Sequence, residues 1–106
     1  MTAMEAWDMA FEESGTYVFT PEAVREDAPA ASGVYAIFTP ERWVFIGASD
    51  DMRQALFQHL SSPDPCFQQY GPLSFSCELA AASERAERRD ALIGELRPVC
   101  HISERG

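Results

Sequence analysis

Residues 33 to 47 write a short apolar hairpin, and this segment restricts the fold more than any other. Val34 to Phe38 is nearly all apolar, as expected of a strand buried on both faces. Thr39-Pro40-Glu41-Arg42 is turn chemistry, and Trp43 to Ile46 is the return strand. Gly47-Ala48-Ser49-Asp50 then breaks the strand, with Ser49 or Asp50 as candidate N-cap. Met52, Ala55, Leu56, His59 and Leu60 follow at helical spacing on one face.

The flanking segments carry weaker signals. Ser61 to Pro72 reads as a loop punctuated by Pro63, Pro65 and Gly71-Pro72. Leu73, Phe75, Cys77 and Leu79 then alternate with Ser74, Ser76 and Glu78, which predicts a half-buried strand. Ser83 is the expected cap of a final helix to about Leu96, with Ala86, Leu92, Ile93 and Leu96 inward and Pro98 as its stop. Upstream, Tyr17-Val18-Phe19 is a brief extended run. Thr20-Pro21 reads as N-cap and first residue of a short helix to about Glu26. Ala28-Pro29-Ala30 ends it, because the residue before a proline leaves the α region. Trp7, Met9 and Phe11 alternate with small or acidic residues, as a short edge strand or an amphipathic arm would. The expected fold is α/β of the α+β type: a three-stranded antiparallel sheet flanked by helices. One domain spans 1–106, with 1–31 an extension packed on a core of 32–102.

Charge narrows the choice of partners. Seventeen acidic residues face eight arginines and no lysine, for a formal net charge of -9. Such a field repels a polyanion over most of the surface, which weighs against nucleic acid unless a local basic groove exists. Arg85, Arg88 and Arg89 form the basic cluster. It is either an anion-recognition patch, since arginine forks suit phosphate and carboxylate, or a solvated helix face with Glu84 and Arg88 paired at i,i+4. No apolar run approaches the roughly 20 residues that span a bilayer. Met1 to Phe11 carries Glu5 and Asp8 without a positive n-region, so no secretory signal is expected and the expected location is cytoplasmic. Cys66, Cys77 and Cys100 are odd in number and lack C-x-x-C spacing, which suits reduced thiols and gives no short-spaced zinc pair.

The triplets Gly33-Val34-Tyr35 and Phe45-Ile46-Gly47 are similar to the signature of the GIY-YIG nuclease domain. His59 and the closing Leu92-Ile93 and Pro98-Val99-Cys100 extend the resemblance over residues 32–101. The family's fold has the same order of hairpin, helix, third strand and helix, and its activity is divalent-metal cleavage of DNA. The resemblance implies a site built at Tyr35, Phe45, Ala55, His59, Arg89 and His101. There Phe45 stands for a second tyrosine, Ala55 for an arginine, Arg89 for the metal-holding glutamate and His101 for an asparagine. Phe45 has no hydroxyl to relay a proton, Ala55 cannot neutralise a phosphate, and a cation at position 89 repels Mg²⁺. Arg53 is turned about 200° from Ala55 on the helix and is a poor substitute.

Two functions follow. One is a non-cleaving GIY-YIG-like module without metal or cofactor, binding a protein partner or an anionic ligand through Tyr35, Arg53, Arg85 and Arg89. The other is a weak or structure-selective endonuclease using Tyr35, His59 and Arg89. Tyr35 can equally be a packed strand tyrosine with its hydroxyl at the surface, and His59 a satisfied structural histidine. Arg89, four residues before Ile93, is expected on or beside the inward face, where Glu78 or another carboxylate must pair it.

Overall fold

The computed structural model describes residues 15–62 and 64–100. Strands β1 (Tyr17–Val18), β2 (Gly33–Thr39), β3 (Arg42–Ser49) and β4 (Ser74–Leu79) form one sheet in the order β1-β4-β2-β3. The neighbouring strands pair antiparallel. Helices α1 (Pro21–Asp27), α2 (Met52–Ser61), α3 (Pro65–Gln68) and α4 (Ala82–Leu96) complete the described elements.

The β2–β3 hairpin explains why the central run is apolar on both faces. Tyr35 and Ile37 face a cluster with Val24, Met52, Leu56, Phe67 and Phe75, supplied by α1, α2, α3 and β4. Val34, Ala36 and Phe38 face the other cluster, which is closed by Leu92 of α4. Each strand residue therefore meets a helix layer whichever way it points. The pairing skips Val44, running from Ile37↔Phe45 to Phe38↔Trp43. This bulge lets consecutive residues Val44 and Phe45 join the same cluster.

The mixed sheet-and-helix fold is as expected, with four strands rather than three. The extra strand is the Tyr17-Val18 run, which covers part of the outer edge of β4. That pairing also alters β4, where Ser76 is buried and donates its hydroxyl to the Gly15 carbonyl, while Leu79 lies 67% exposed beyond the end of β1. The half-buried alternation fails there for this reason. Asp51, rather than Ser49 or Asp50, caps α2 by accepting from the Gln54 amide at 3.0 Å. The segment read as a loop contains α3, capped by Asp64 through the Cys66 amide at 2.8 Å. Helix α4 starts after Ala81 with no side-chain cap, so Ser83 lies inside it, and Ala86 is exposed.

The cysteines need the largest correction. Cys66 and Cys100 form a disulfide, and only Cys77 among the described cysteines is a free, buried thiol. Neither the odd count nor the wide spacing could register this, because the fold brings together residues 34 positions apart. No helix among the described residues is long and apolar enough to cross a membrane. The expectations for Trp7, Met9, Phe11, Pro63 and His101 fall outside the described residues.

Candidate functional site

Tyr35 sits in the middle of β2, opposite Gly47 of β3 and Cys77 of β4. Its ring lies across Gly47. A Cβ at that position would come within 2.6 Å of both the Tyr35 Cζ and its hydroxyl oxygen. The glycine of the second triplet is thus the floor on which the tyrosine of the first one rests.

His59 reaches the same place from α2. It lies seven residues after Met52 and three after Leu56, both fully buried, so it shares their face. Its Nε2 is 3.0 Å from the Tyr35 hydroxyl. The imidazole packs against Phe45 (centroids 4.9 Å), Phe67 (5.4 Å) and Tyr35 (5.7 Å). Burial among these rings lowers its pKa from the ordinary histidine value, and the Asp64 carboxylate opposes the shift. The neutral ring has one donor and one acceptor nitrogen, so Nε2 takes the phenolic hydrogen or gives its own according to tautomer. The Tyr35 hydroxyl is therefore engaged with His59 rather than standing at the surface.

A groove of about 290 Å³ opens beside His59, walled by Phe19, Leu60, Asp64, Phe67 and Tyr70 among others. Its walls are mostly apolar and aromatic, with Asp64 as the charged group. Tyr70 of this lining already takes the Arg42 guanidinium over its ring face, 5.5 Å from the centroid.

The structure brings Tyr35, Phe45 and His59 together, with Ala55 half-buried against the same cluster. It does not bring the arginines there. Arg85 and Arg89 lie on α4, which packs across the opposite face of the sheet through Leu92. The Arg89 Nε donates to the neighbouring Asp90 at 3.1 Å, a carboxylate other than Glu78, with a third of the side chain exposed. Glu78 instead takes both Nε and a terminal nitrogen of Arg88, at 2.8 and 3.2 Å. Arg85 donates to the Ser32 hydroxyl at 2.9 Å, and that hydroxyl donates to the Ala80 carbonyl at 2.7 Å. Arg53 donates to the Ala28 carbonyl at 2.9 Å, which ties α2 to the end of α1.

Sequence reasoning missed Asp64, Phe67 and Tyr70. One usable signal was present, because Asp64-Pro65 is the same N-cap and first-residue pair as Thr20-Pro21.

The layered arrangement of sheet and helices is a GIY-YIG-like α/β fold. A solved structure bears this out: the chain is similar to the GIY-YIG N-terminal endonuclease domain of UvrC from Thermotoga maritima, a point mutant bound to its catalytic divalent cation. The TM-score is 0.57 and the identity 20%, covering 73% of this chain and 92% of that one. At that identity the likeness shows the fold. No protein-family model and no curated protein sequence matches the chain.

Proposed function

We propose that this GIY-YIG-like module has lost metal-dependent cleavage and binds a protein partner through the groove beside Tyr35 and His59. The observation that carries this reading is the enclosure of the Tyr35–His59 pair by Phe45 and Phe67. Phosphodiester cleavage needs cations and a metal-holding carboxylate at such a site. The divalent cation of the similar endonuclease domain does not fit the residues here. The resemblance puts Arg89, a cation, at the position of the metal-holding carboxylate.

The anionic-ligand alternative loses support from the same geometry. Arg53, Arg85, Arg88 and Arg89 all bond to groups of the chain itself. The groove offers aromatic rings and Asp64, on a molecule of net charge -9. Aromatic faces attract ammonium and guanidinium groups, as Tyr70 already does with Arg42. The partner chemistry that fits is an apolar segment carrying a basic side chain.

Peptides selected on the whole chain from a random displayed library test this reading. Enriched peptides should combine aromatic or aliphatic residues with Arg or Lys, and Tyr70→Ala and Asp64→Asn should weaken them at least tenfold. Equal binding by both variants would remove the groove from the function. The 3.0 Å Tyr35–His59 contact favours the endonuclease as second reading, with the phenol and imidazole moving a proton. Nicking of branched or plasmid DNA with Mg²⁺ or Mn²⁺, lost in Tyr35→Phe, would establish it and overturn the first.

A further inference from the structure

We propose that the Cys66–Cys100 disulfide is a redox-controlled latch on the cover of the Tyr35–His59 site. The cover is α3, a single turn of four residues, far too short to hold a helix by its own hydrogen bonds. What seats it is Phe67, 5% exposed, whose ring meets Phe45 at 5.7 Å and His59 at 5.4 Å. The groove's wall from Asp64 through Phe67 and Tyr70 belongs to this same segment.

The two ends of the latch differ in a way that suits opening. Cys100 is 1% exposed and fixed to the edge of the sheet: its amide donates to the Val44 carbonyl at 2.8 Å, and the Val99 amide to Trp43 at 3.1 Å. Cys66, on α3, is partly buried against the same core. The bond therefore joins a one-turn helix to a turn that is hydrogen-bonded to β3, and the less buried of the two cysteines is the one on the helix. A dithiol reductant attacks the Cys66 sulfur, forming a mixed disulfide and releasing Cys100 as a thiolate that takes a proton. The reductant's second thiol then closes its own disulfide and releases Cys66, which also takes a proton. Two electrons and two protons pass to the protein, leaving two thiols.

Cys77 does not interfere with this exchange. It is buried in β4, and burial pushes its thiol pKa up to about 12, so it supplies no thiolate at neutral pH. Once the S–S bond is broken, Phe67 packing and the Asp64 cap remain to hold α3. Local opening of the cover then exposes His59 and Tyr35, while the sheet behind them keeps its pairing.

Hydrogen exchange of the full chain, air-oxidised and then treated with dithiothreitol, tests this without any partner. Reduction should speed amide exchange across residues 66–70 at least tenfold and leave β2 and β4 unchanged. Over the same change the His59 imidazole pKa, followed by NMR, should rise toward its ordinary value. Cys100→Ser should reproduce both effects without reductant. Unchanged exchange in α3 after complete reduction overturns the proposal. So does loss of protection throughout the sheet, which would make the bond a staple of the whole fold. Resistance of the folded protein to dithiothreitol also overturns it.

Discussion

At the scale of single residues, the informative contact is between Tyr35 and His59, because it ties a sheet position to a helix position through one titrating group. The folded state lowers the His59 pKa, chiefly by burial against Phe45 and Phe67, with Asp64 opposing. The unfolded chain titrates near 6.5. Above that value both states hold a neutral ring and stability is at its plateau. As pH falls through 6.5 the unfolded state takes up a proton that the folded state resists, so stability falls, by up to about 1.4 kcal/mol per pH unit. Denaturant unfolding of the wild type and of His59→Asn, from pH 7.5 to 5, isolates this effect, because other groups largely cancel in the difference. The advantage of the wild type should shrink as pH drops; a constant or growing advantage contradicts the assignment. Tyr35 and Gly47 were legible in the sequence as members of the two triplets, but their contact was not, because hairpin register depends on the turn and on the bulge at Val44. The partners of the arginines were not. A long side chain with several donors reaches whichever oxygen the tertiary fold presents, so Arg88 finds Glu78 rather than Glu84.

At the scale of elements, α4 shows how tertiary contacts move a helix boundary. The Ala80 amide donates to the Ser32 carbonyl at 3.1 Å, and the Ser32 hydroxyl donates to the Ala80 carbonyl. The chain is pinned there at the end of β4, and the helix begins at once. Ala81 occupies the N-cap position with extended backbone (φ -65°, ψ 155°); its carbonyl accepts from the Glu84 amide at 2.9 Å, but it offers no side-chain oxygen to the first turn. Sequence preference pointed to Ser83, but that residue comes after the pin. Supplying the missing acceptor with Ala81→Asp should stabilise the fold by about 1 kcal/mol, since an N-cap carboxylate bonds an orphan amide and meets the positive helix end. The denaturation midpoint should rise with an unchanged slope; an unmoved midpoint would mean that some other group already satisfies those amides. The helices at 21–27 and 65–68 open with the same Thr-Pro or Asp-Pro signal. The second was hidden in a stretch rich in prolines, where one short turn has no periodicity to reveal it.

At the scale of the whole molecule, acidity is the property most plainly written in the sequence, and it has a consequence for stability. The molecule measures about 31 × 29 × 28 Å. At 0.01 M salt the screening length is about 30 Å, so every carboxylate acts on every other; at 0.15 M it falls to about 8 Å and only neighbours interact. With a net charge of -9, the long-range sum is repulsive and favours expansion. Salt also weakens attractive contacts, of which the described residues show Arg88–Glu78 and Arg89–Asp90. The Arg88–Glu78 pair, 37% and 26% exposed, contributes at most about 1 kcal/mol. Repulsion should therefore dominate, and the melting temperature should rise as sodium chloride goes from 0.01 to 0.15 M. Arg88→Gln gives the internal control. It makes the chain one unit more negative and removes an attraction that salt weakens, so its melting temperature should start lower and climb more steeply than that of the wild type. A melting temperature that falls with added chloride would mean that local ion pairs, rather than the overall field, govern this molecule. The Arg85, Arg88 and Arg89 cluster would then deserve reconsideration as the centre of its electrostatics.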